Sequence, residues 1–163
     1  MKSLKYYILV FVLSLVCGQY KLFAQDASMK EREACLYLTS QIDKLIKASQ
    51  IQIDKNLIFN FLLCFDDKYS NSAELGEYSD EVLFKLLEDY PNLILEVMSL
   101  NKDKIPWKDI CNKIADPIIV SDVNILNGII NKVNVIIEYD NIKKDVIDAL
   151  KKAIVYVTSG RSY

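Results

Sequence analysis

Ser99 and Lys102, in the stretch Ser-Leu-Asn-Lys, place a hydroxyl and an amine three residues apart. That separation lets a lysine one helical turn away take the proton from a serine nucleophile. Here Ser99 closes an apolar segment instead of opening one, so a helix end leading into a loop is the expected reading. The chain has no histidine, which removes the commonest general base and the commonest metal ligand together. It also has no Cys-x-x-Cys pair, so zinc is not expected. Asp66, Asp67, Glu74, Glu77 and Asp80 crowd one polar interval. No frame there puts oxygen donors at alternate positions with glycine sixth, so a solvated loop is expected in place of a calcium loop. No catalytic, cofactor-binding or metal-ligating residue is assigned. Tyr69 and Tyr78, which flank that interval, and Trp107, which begins a short helix, are the candidates for an interaction surface, because interfaces favour exposed aromatic residues. The alternative for Trp107 is that it heads its own apolar stripe and packs inward.

The elements that would position these residues follow an address label. Met1 to Ala24 has Lys2 and Lys5, then the apolar run Ile8 to Cys17, then a more polar stretch ending in small Ala24, which is the layout of a signal peptide. The run is shorter than the ~20 apolar residues that span a bilayer. Two cuts compete. One follows Ala24 or Gln25 and yields a periplasmic or secreted protein. The other precedes Cys17, in a stretch that resembles a lipobox but carries bulky Val16 where a small residue is expected. The later cut is the expected one, leaving residues 25–163 as a single domain with no membrane span.

Loss of the leader removes Lys2, Lys5 and Lys21 and no acid, so 20 basic and 22 acidic residues become 17 and 22, a formal balance of −5. Nucleic acid, which demands a basic face, is not an expected partner. Of the four cysteines, Cys35, Cys64 and Cys111 remain, too odd a number for a complete disulfide framework. Either all three are thiols acting as small hydrophobes, or one pair bridges and one is left over.

Apolar residues recur at the helical period, and proline, glycine and asparagine mark the breaks, which predicts an all-α fold of six or seven short helices in antiparallel hairpins. The first helix is predicted over 29–48, with Cys35, Leu38, Ile42 and Leu45 as its stripe. The second is Asn56 to Phe65. The polar interval Asp66 to Ser79 reads as a long loop, with Ser79 capping a helix whose inward face is Val82, Leu83, Leu86, Leu87 and Tyr90. Pro91 and Pro106 each open a further helix; the Pro91 helix is short and apolar enough to be central. Val123, Leu126, Ile129, Ile130, Val133 and Ile137 stripe the next, and Ile142 to Val157 the last, joined tightly enough to form a hairpin.

Ser79 to about Ala115 resembles the helix-turn-helix units of HEAT-like and armadillo-like proteins, with a proline-marked turn between a longer and a shorter helix. The whole layout is also similar to small exported bacterial helical proteins. The first resemblance implies a short superhelix, with an irregular bundle as the alternative; neither brings catalytic residues. The function expected is that of an exported, non-enzymatic protein-interaction module of adaptor or inhibitor type. The alternatives are a small hydrolase using two carboxylates that meet from distant positions, and an apolar-ligand carrier with a cavity around Phe61 and Leu95.

Overall fold

Aspartate and proline set several of the helix starts. Asp54 and Asp122 each accept a hydrogen bond from the backbone N–H two residues on, at 2.8 Å, satisfying a donor that a helix start leaves without a partner. Pro91 occupies the first turn of its helix, where its missing N–H costs nothing. In the computed structural model, residues 29–49, 52–66, 73–120 and 122–159 are described. The expected signal peptide with its two candidate cut sites, Tyr69 and the closing Gly160 lie outside them. The described residues contain seven helices and no strand, an all-α fold. They are α1 (29–47), α2 (Lys55–Leu63), α3 (Ala73–Asp89), α4 (Pro91–Asn101), α5 (Trp107–Ala115), α6 (Val123–Asn134) and α7 (Asp140–Thr158).

The chain forms two units, Met1–Ala34 and Cys35–Tyr163. In the first, the described residues 29–34 are helical and exposed. In the second, α4 is central, meeting α2, α3, α6 and α7, as its apolar sequence predicts. Its Ile94, Leu95 and Met98 are fully buried, as are Phe61 of α2, Leu83 and Leu87 of α3, Ile110 of α5 and Leu150 of α7, in one continuous core. Each such side chain stabilises the fold by about 1.5–3 kcal/mol relative to exposure. Phe61 also meets Phe65 edge to face, with ring centres 5.2 Å apart. The α6–α7 hairpin forms as expected, with five residues, Val135 to Tyr139, between the two helices.

Two expectations are corrected, and one open alternative is decided. Helix α3 starts at Ala73, so Ser79 is no cap: it is buried inside the helix, and its hydroxyl donates to the Leu75 carbonyl at 2.6 Å. The cause is tertiary. Leu75, in what reads as a polar loop, is buried against Cys35 and Cys64 with Leu36 and Leu38 beside them. That contact draws the first two turns of α3 out of the loop.

Of the two readings of the cysteines, the one with a single bridge holds. Cys35 and Cys64 form a disulfide across 5.6 Å between Cα atoms, fastening α1 to the end of α2, and Cys111 is free and half-buried. The second correction is that Ile137 does not belong to the α6 stripe. Helix α6 ends at Asn134, and Ile137 is 89% exposed in the turn that follows. In α1 the buried line is Cys35, Thr39, Ile42 and Ile46, with Leu38 and Leu45 at its margin.

Candidate functional site

Four places bring polar or accessible chemistry together. The first lies between α1 and α3. Asp43, buried on the inner side of α1, takes hydrogen bonds from Lys47 at 2.6 Å, Lys85 at 3.1 Å and the Tyr78 hydroxyl at 3.2 Å, while Lys85 also reaches Glu81 at 2.6 Å. Burial pushes the Asp43 carboxyl up, but the hydrogen bonds from Lys47 and Lys85 outweigh it and hold the group below the usual carboxylate value. Burial works against the Lys85 ammonium, yet Glu81 and Asp43 raise its pKa. Burial and the Asp43 charge raise that of Tyr78. Tyr78 is thus half-buried and tied to a structural ion pair.

The second surrounds Asp145. Lys102 pairs with its Oδ2 at 3.0 Å, the Trp107 Nε1 donates to the same oxygen at 3.2 Å, and the ammonium lies 5.2 Å from the indole ring centre. The Lys102 hydrogen bond is the main reason the Asp145 carboxyl sits below its ordinary value, with Trp107 adding to it against partial desolvation. This gives Lys102 a role that is not Ser99 activation. Trp107 is half-buried with its polar tip committed. Beside it, burial and the Asp145 charge push the Cys111 thiol up to about 11, so it stays protonated at neutral pH and is a poor nucleophile.

The third is Asp80, which the sequence pattern places in a hydrated stretch and the structure buries completely. Its Oδ2 accepts the Ile118 N–H at 3.5 Å, its Oδ1 lies 4.0 Å from the Lys113 ammonium, and Oδ1 has no hydrogen-bond partner. Burial, with repulsion from Asp116 added, outweighs Lys113 and the Ile118 N–H and raises its pKa from 3.8 to about 6. A signal for this residue did exist. Asp80 stands three and seven residues before Leu83 and Leu87, on the buried face of α3, once that helix is extended back to Ala73.

The fourth is a surface. A groove of about 640 Å³ runs between the α1–α2 connection and the N-terminus of α4, lined by Ile53, Asp54, Asp89, Tyr90 and Leu93 among others. A second, of about 400 Å³, lies toward the α6–α7 turn, lined by Lys132, Val135, Ile136, Ile137 and Glu138. Pro91 and Asn92 belong to both, so the two adjoin. The turn is held outward by backbone geometry. Tyr139 takes a left-handed conformation, φ 64°, which costs a non-glycine residue about 1–2 kcal/mol. Lys143 donates to the Ile136 carbonyl at 2.9 Å, bracing the strand of chain before it. Val135 and Ile137 are left 78% and 89% exposed.

Among the described residues no three acidic or cysteine side chains come close enough to hold a metal ion, and no helix is long and apolar enough to cross a membrane. Of the sequence candidates, Tyr78 and Trp107 face different partners, Asp43 of α1 and Asp145 of α7, and Tyr69 lies outside the described residues. Val135 and Ile137 are the most exposed of the large apolar side chains among the described residues, ahead of Leu100 and Val155, and sequence reasoning missed them. No protein-family model, curated protein or solved structure matches this chain.

Proposed function

We propose that this chain is an exported helical module that binds another protein through the double groove at the start of α4 and performs no chemistry of its own. The observation that carries the reading is the pair of adjoining grooves flanked by Val135 and Ile137, two apolar side chains held in water by a strained turn. Lys55 is paired with Glu96 and Lys132 is taken by the Glu88 carbonyl, whereas Asp89 and Glu138 stand exposed at the rim. The complementary occupant is therefore a peptide segment that presents apolar side chains beside lysine or arginine. Export is supported by the tripartite Met1–Ala24 segment and by the Cys35–Cys64 bridge, since disulfides persist in oxidising compartments. An enzymatic reading has less support, because Asp80, the carboxyl with the raised pKa, is fully buried and lines neither groove.

Selection of random peptides on the folded mature protein tests the reading. Enriched peptides are expected to combine apolar and basic residues and to weaken at least tenfold against a Val135→Asp, Ile137→Asp variant of unchanged melting temperature, given the ~1.5–3 kcal/mol that a buried aliphatic side chain supplies. Peptides that bind the variant as tightly as the parent would refute it.

A further inference from the structure

The Asp80 carboxyl is covered by the chain that follows α5. Asp116 ends that helix, Pro117 is buried, and Ile118 aims its N–H at Oδ2, while the Ile118 and Ile119 side chains are 53% and 44% exposed. This cover gives a buried anion little. One oxygen lacks any hydrogen-bond donor, the ammonium of Lys113 stands at 4.0 Å, and the Ile118 N–H is at the long limit of hydrogen bonding. A protonated carboxyl is at home in such a place, and an ionised one gains by meeting water.

We propose that the segment 116–120 is a proton-operated latch: it lies closed over Asp80 when that carboxyl is protonated and opens from α3 more often when the carboxyl ionises. The charged groups facing Asp80 are Lys113 on α5 and Asp116 at the latch itself, and they oppose each other. Charges from the other neighbours of α3 are engaged elsewhere. On α1, Asp43 and Lys47 are bound to each other, and Lys85 of α3 holds Asp43. On α6, Lys132 binds the Glu88 carbonyl, eight residues farther along α3. Helix α4 brings buried Ile94, Leu95, Val97 and Met98. The Ser79 hydroxyl beside Asp80 is turned to the Leu75 and Gly76 carbonyls. Gly76, one turn before Asp80, lies beside Lys113, whose Nζ would stand at an ordinary contact distance of 3.8 Å from a Cβ placed there. Residues 116–120 line neither groove, so the latch is separate from the proposed binding face.

The coupling has a defined size. A carboxyl with a pKa of about 6 when covered and 3.8 when hydrated makes the open fraction grow roughly 60-fold between about pH 4 and pH 7.5. Hydrogen exchange of the full mature protein, corrected for the intrinsic pH dependence of exchange, reads this directly. Protection of the Ile118 amide is expected to fall by that factor over this range, with little sensitivity to low urea, because the opening is local. In Asp80→Asn the protection should be flat with pH. In Lys113→Met the loss should be greater at neutral pH, since the closed anion loses its only nearby cation among the facing groups. A pH-independent Ile118 amide in the parent overturns the proposal. So does an Ile118 amide whose urea dependence equals that of the core Leu150 amide, since that is global unfolding.

Discussion

Replacing Asp80 by asparagine should stabilise this protein at neutral pH, which is the reverse of what removing a buried ion-pair partner commonly does. In the folded chain the carboxyl has its pKa raised from 3.8 to about 6. Between those values the folded state holds a proton that the unfolded chain has released. Stability therefore rises as pH falls from above 6 toward 3.8, and the contribution is complete only below the unfolded value. The difference between pH 7.5 and pH 4 is about 2.5 kcal/mol, the free energy of a roughly 60-fold change in equilibrium. Asparagine has nearly the shape of the protonated acid and no charge to bury. The variant should match the parent near pH 4 and exceed it by about 2 kcal/mol at pH 7.5. Asp43 and Asp145 do not interfere. Both sit below their ordinary value, so their stabilisation is present above 3.8 and is lost only as pH falls through their lower folded values. Urea unfolding of both proteins across this range, with m-values held equal, is the assay. Parallel stability curves for parent and variant would refute the account of Asp80.

Other consequences are simpler to check. Serine at both Cys35 and Cys64 should cost about 3.5 kcal/mol in urea unfolding, because the bridge closes a loop with a sequence separation of 29. Mass spectrometry of a chain of residues 25–163 should show one alkylated thiol after denaturation without reduction, and three after reduction; labelling of native Cys111 should stay slow at pH 7.5 and rise only as pH approaches 11. Asp43→Ala should destabilise by about 3 kcal/mol, since it leaves Lys85 with Glu81 alone while the Tyr78 hydroxyl loses its acceptor, and calorimetry at neutral pH reads it. Phe61→Ala, which empties a fully buried site between α2 and the core, should cost about 3–5 kcal/mol by the same measurement.

Helix type and number were legible because they rest on local physics. A 3.6-residue apolar period needs no knowledge of the partner face, and Pro91 ends one helix and starts the next by its own ring and missing N–H. The centrality of α4 could be read from a segment that is short and rich in apolar residues. The slight excess of acidic over basic residues is likewise a property of composition.

What tertiary structure alone decided are the points where a distant contact overrides local preference. Leu75 packs on the Cys35–Cys64 bridge, so a polar interval becomes two turns of helix. Those turns carry Asp80 from expected solvent into a fully buried place, beside a lysine from α5 and a backbone N–H from the chain after it. Which two of three cysteines meet depends on where α1 and the end of α2 lie in space, and no spacing along the chain encodes that. Ile137 continues the α6 period in sequence, yet the helix stops at Asn134 and the left-handed Tyr139 begins the return, leaving it in water. Periodicity records which residues can share a face; burial and charge depend on what the rest of the chain brings to that face.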